Sequence, residues 1–152
     1  MAVKTHRERR DFGPVELPDH VEFARADLEI YGVNHFRPSY TAHVFLNAPA
    51  SGELDVSHDS YAGSFSIFGH GRCYGSEGHC EAHAHIRRFD DRPSHPLTRA
   101  FKRVVVTEAL RRALQTGTRQ LTVTFVVVAP DEDLPRGEPV LDFQGLQVTT
   151  FD

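Results

Sequence analysis

The chain has 152 residues, 39% of them hydrophobic and 25% charged, with a net charge of −4. That length suits one domain with a real core, and an acidic balance with scattered arginines lacks the basic stripe of a nucleic-acid binder. The N-terminal MAVKTHRERRDF has no apolar h-region, and no apolar run reaches the about 18 residues a membrane span needs, so the chain reads as cytoplasmic.

In chain order, residues 1–20 read as a flexible, charged arm broken by Pro14 and Pro18, and residues 21–152 as a single β-sandwich domain. DLEIYGV, residues 27–33, is the first convincing strand. Residues 40–47 form the second; apolar groups on both of its faces suit a central strand packed on two sides. Residues 64–68 are the third. FKRVVV, residues 101–106, is a strand that runs into one short helix over 108–115, with Thr107 as N-cap and Gly117 as the stop. LTVTFVVVA, residues 121–129, is the strongest strand by its β-branched density. Residues 140–150 read as one broken strand or two short ones, with a bulge at Gly145. Short strands at turn-bounded spacing with one small helix predict an antiparallel β-sandwich or barrel. The expected core comprises Phe45, Phe65, Ile67, Val104, Val106, Leu110, Val123, Phe125 and Val127.

Between the third and fourth strands lies the stretch that carries chemistry, GSFSIFGHGRCYGSEGHCEAHAHIRRF, with both cysteines of the chain. Cys73, His79, Cys80, His83 and His85 are candidate metal ligands, with His70 just upstream. Thiolate and imidazole together are the donor set of copper or zinc. On a strand, His83 and His85 point to one face with Cα atoms roughly 6–7 Å apart, close enough to share an ion. In a cytoplasmic chain the two cysteines read as thiols, although the Cys73–Cys80 loop is long enough to close. The bland alternative is a solvated Gly-rich loop with a local bias to Cys and His. Other chemistries fit worse. A cupin motif would need a Glu shortly after His85, and Ile86, Arg87, Arg88 and Phe89 stand there; GHGRCYGSEG lacks the Lys-Ser/Thr of a phosphate loop. Asp90 and Asp91 precede Arg92-Pro93 and read as a solvated turn.

The segments HVFLN (43–47), YAGSFSIFGHG (61–71), KRVVVTEALRRAL (102–114), LTVTFVVVAP (121–130) and LDFQGLQVTTFD (141–152) come in an order that resembles the C-terminal domain of polyphenol oxidases and tyrosinases. There a FDVFIN-like strand precedes AGSFVNLPH, then a strand and short helix, then a VTLVPR strand. The resemblance covers residues 28–152 in layout, and AGSF with a nearby His is its most specific piece. It implies a β-sandwich that packs over a helical dicopper domain, which carries the catalysis on six histidines. This chain has no two HxxxH motifs, so the resemblance implies an accessory protein and not the oxidase. Its cofactor would be copper, with zinc as the alternative, and its partner a tyrosinase-like dicopper oxidase. The Cys/His insert departs from the family pattern and points to added copper chemistry. Two further readings stay open: a small mononuclear metalloenzyme using His83, His85 and His70 or His95, and a structural sandwich whose loop is zinc-tied or metal-free.

Overall fold

The computed structural model describes residues 4–17, 22–70, 98–131, 134 and 137–152. Seven strands and one helix follow in the order β1 (Thr5–Val15), β2 (Arg25–Val33), β3 (Tyr40–Leu46), β4 (Tyr61–Ile67), β5 (Ala100–Val105), α1 (Thr107–Gln115), β6 (Leu121–Pro130) and β7 (Gly145–Phe151). They make two sheets, one with order β1-β6-β3-β4 and one with order β5-β2-β7. Every pairing is antiparallel, and neither sheet closes into a barrel.

Side-chain alternation explains how the sheets meet. Along β3, Tyr40, Ala42, Val44 and Leu46 point inward; on β6 the partners Val123, Phe125 and Val127 do the same. From the opposite sheet Ala26, Leu28 and Ile30 of β2 and Val104 of β5 meet them in one buried cluster. The period of two puts one apolar row from each sheet on a shared face, as an aligned sandwich requires. Helix α1 closes one side by burying Ala109, Leu110 and Ala113.

The outer face of β3 is covered as well. Phe45 packs with Val126 of β6 and with Leu54 from the loop between β3 and β4. Phe45 is therefore buried as expected, but in a satellite cluster on the far side of its sheet. The other expected core residues all lie in the main cluster.

Three expectations are corrected. Residues 5–15 are no flexible arm: β1 is an eleven-residue strand in register with β6, from Thr5↔Pro130 to Val15↔Leu121. Its charged side chains find partners that the sequence does not reveal. Asp11 accepts a 2.5 Å hydrogen bond from Thr124, and Glu8 accepts the Val140 N–H at 3.1 Å. Thr107 does not cap α1. Val106 holds the cap position without a side-chain bond, and the Thr107 hydroxyl accepts the Ala26 N–H at 3.0 Å, tying the helix to β2. Gly117 does end the helix, at φ 77° with its N–H on the Leu114 carbonyl. Finally, Gly145 forms no bulge: it opens β7, paired with Tyr31, and Val140 and Leu141 reach the core from outside any strand.

The outer face of the three-stranded sheet carries an ordered polar row. Asp27 is 0% exposed and lies 2.7 Å from Arg25 and 3.3 Å from Arg103. Glu29 accepts from Tyr31 at 2.5 Å, Gln147 at 2.7 Å and Thr149 at 2.9 Å. These donors, Tyr31 foremost, hold the Glu29 carboxyl below the ordinary glutamate range. A depressed pKa contributes stability that is present in full above the ordinary value and is lost as pH falls through the depressed one. Glu29→Gln should therefore be less stable than the parent at pH 7, and the gap should close on acidification below about pH 4. Denaturant midpoints measured across that range check this; a gap independent of pH would refute it.

Candidate functional site

β4 leaves its sheet at Ile67 and β5 begins the other sheet at Ala100. The connection between them carries the Cys/His stretch. Cys73, His79, Cys80, His83 and His85, together with His95, lie outside the described residues. The described residues on either side, 68–70 and 98–99, show where that connection is rooted.

Both roots meet the loop that joins β2 to β3. The His70 N–H donates to the His35 carbonyl at 2.8 Å, and the Gly69 N–H to the Ser39 hydroxyl at 2.9 Å. On the return side, Arg99 donates to the Gly32 carbonyl at 3.0 Å and to the Asp142 carboxylate at 3.3 Å. The His35 ring bridges the two sides. Its Nε2 meets the Thr98 carbonyl, and its Nδ1 lies 3.2 Å from Nδ1 of His70.

The loop beneath is itself fixed. Asn34 is buried, donates its Nδ2 to Asp142 at 3.2 Å, and accepts the Phe36 N–H on its Oδ1 at 2.9 Å. Its backbone N–H reaches the Asp142 carbonyl at 2.8 Å. Arg37 pairs with Glu138 at 2.8 Å. Tyr40 is buried nearby with its hydroxyl unpartnered among the described residues; burial, then the charge of Asp142, holds the phenol well above its ordinary range. The outcome is a polar end of the sandwich with two imidazoles brought ring to ring.

Aromatic rings flank the pair. Phe36 stacks on His35 with centroids 4.9 Å apart, and Phe68, 81% exposed, stands edge-on to His70 at 5.6 Å. The His35 and His70 rings are themselves perpendicular, at 84°. His70 was expected near a metal-capable segment; His35 was not singled out. A lone His in NHFRP has no spacing that marks it, and only the tertiary return of residue 98 beside residue 35 gives it a role.

Gly69 sets this geometry. A Cβ there would lie 2.0 Å from the Arg37 carbonyl oxygen, 2.3 Å from Pro38 C and 2.4 Å from Ser39 N. All three are backbone atoms, so no side-chain rotation relieves the clash. Gly69→Ala should cost about 1–3 kcal/mol and displace His70 from His35. The check is a denaturation midpoint with the imidazole resonances followed by NMR; an unchanged midpoint with unchanged His70 shifts would refute it.

Fold and site together define an antiparallel two-sheet sandwich with a Cys/His-bearing connection rooted on a histidine pair at one end. No family model matches the chain, and no curated protein matches it by sequence. Solved structures do match. A recombinant latent aurone synthase, a polyphenol oxidase, co-crystallised with hexatungstotellurate(VI), aligns with a TM-score of 0.50 at 17% identity, over 97% of this chain and 24% of that one. Latent aurone synthase from its natural source aligns at 0.48 and 15%, over 99% and 24%. The chain thus spans about a quarter of the length of these structures, and the likeness is one of fold. The sequence resemblance to polyphenol oxidases is met at that level. Among the described residues no helix is long and apolar enough to cross a membrane.

Proposed function

We propose that this chain is a non-catalytic accessory protein of a type-3 copper oxidase, equivalent to the C-terminal β-domain of the polyphenol oxidase family. It would shield a tyrosinase-like dicopper domain, assist its assembly or load its copper. The observation that carries this reading is the alignment of nearly the whole chain with one quarter of a latent polyphenol oxidase. The chemistry is consistent with it. The helix among the described residues, TEALRRALQ, contains no histidine with which to build a dicopper centre. Copper, with zinc as the alternative, is assigned to Cys73, His79, Cys80, His83 and His85, whose thiolates and imidazoles suit Cu(I).

The test mixes this chain with the dicopper domain of a tyrosinase-type oxidase stripped of its own β-domain. Co-elution on size exclusion is expected, with a change in the rate of diphenol oxidation or in the copper content of the oxidase. The Cys73→Ser/Cys80→Ser variant should form the complex but lose the effect on copper content. Absence of a complex at micromolar concentration would overturn the reading, as would diphenol oxidation by the metal-loaded chain alone.

A further inference from the structure

We infer that His35 and His70 form a divalent transition-metal site of their own, holding one ion of the imidazole-preferring class between their two Nδ1 atoms. The assignment rests on the ring geometry among the described residues. It does not depend on the docking reading above, nor on Cys73, His79, Cys80, His83 or His85.

Three observations carry it. First, the Nδ1 atoms stand 3.2 Å apart. Two nitrogens bound at about 2.0 Å with a tetrahedral angle between them are separated by about 3.3 Å. An ion can therefore enter without separating the rings, each tilting to aim its lone pair at the ion instead of at the other nitrogen. Second, the His35 tautomer is set. Its Nε2 faces the Thr98 carbonyl, which can only accept, so Nε2 carries the proton and Nδ1 presents its lone pair. A backbone carbonyl on the far nitrogen is the usual outer partner of a metal-bound imidazole. Third, both rings are placed before any ion arrives. The His70 N–H is held by the His35 carbonyl, Phe36 stacks on His35, and Phe68 borders His70. Preorganisation of this kind reduces the entropy that binding must otherwise overcome.

Without an ion, the same contact is a single Nδ1–H···Nδ1 hydrogen bond with His70 as donor. Metal binding shifts the His70 proton from Nδ1 to Nε2, so both imidazoles stay neutral, and the remaining coordination positions go to water or incoming ligands. Zinc and copper(II) are among the cations whose ligand preference matches a pair of neutral imidazoles. Two protein ligands leave the ion exchangeable, unlike a closed four-ligand structural site.

The experiment uses the full chain with Zn2+ as the probe. In a background of Cys73→Ser, His79→Ala, Cys80→Ser, His83→Ala and His85→Ala, titration calorimetry should still show one equivalent of Zn2+ bound. Adding His70→Ala should weaken that binding by at least about tenfold, the smallest loss that removal of even an outer-shell partner brings. His70→Gln, which retains a hydrogen-bond donor to His35, should weaken it equally, so a folding defect in the alanine variant does not decide the result. On Zn2+ addition, 15N NMR should shift Nδ1 of His35 and His70 while Nε2 of His35 stays protonated. The inference is overturned if the background variant binds no Zn2+, if both His70 variants bind as it does, or if the shifts appear only at Nε2. Such a result leaves the docking reading intact. Conversely, a chain that forms no complex with a dicopper domain but retains this Zn2+ site refutes only the docking reading.

Discussion

Phe125→Ala is expected to destabilise the protein by about 3–5 kcal/mol, the loss typical of a deleted core aromatic that leaves a cavity. Phe125 is fully buried in the middle of β6. Its ring meets Phe12 of β1 at 5.6 Å, Phe65 of β4 at 6.2 Å and Phe143 at 5.9 Å. These partners come from three separate parts of the chain, and each is held by its own strand or flanking contacts. They cannot all slide into the space a phenyl ring leaves, so the cavity term adds to the lost transfer energy. Denaturant unfolding of parent and variant measures the difference. A loss under about 1 kcal/mol would mean that the ring does not sit at the junction of the two sheets.

Gly63→Ala is expected to cost about 2–5 kcal/mol through two separate effects. Gly63 has φ 150°, a backbone conformation that side-chain-bearing residues rarely adopt. It also faces the opposite sheet, where an added Cβ would stand 2.7 Å from Cγ1 of Val104. Val104 is itself buried, so it has little room to give. Gly63 thus lets β4 and β5 approach at the side of the sandwich where α1 packs. The double variant Gly63→Ala/Val104→Ala separates the two effects. Val104→Ala alone sets the reference: the double variant should lose less than the sum of the two single variants by the part due to the clash, and retain the part due to backbone strain. Additive losses would assign the whole Gly63→Ala effect to the backbone; no loss in the Gly63→Ala variant would refute both.

Strands whose pattern is local were legible in the sequence. β6 is announced by nine residues dense in β-branched groups, and β3 by apolar residues on both faces, which the core and the Leu54 loop then cover. β1 was not legible. THRERRDFGPV has few β-formers and many charges, and it becomes a strand only because β6 offers a free edge and because Thr124 and the Val140 N–H satisfy Asp11 and Glu8. Local composition cannot report a partner more than a hundred residues away. The same holds for Thr107: its position fits an N-cap, but the Ala26 N–H from another strand claims the hydroxyl.

The candidate site divides along the same line. The sequence by itself determined that the chain is mainly antiparallel β, a sandwich or barrel with one short helix, and that its Cys and His residues cluster in the stretch that follows the third strand. Both are encoded by neighbours in the chain: alternation along each strand, and Cys and His within one connection. Tertiary structure alone decided that β1 completes a sheet and that His35 stands against His70. The reason is geometric. Both roots of the connection between β4 and β5 lie at one end of the sandwich. At that end the β2–β3 loop supplies the backbone acceptors and the imidazole that its two roots require.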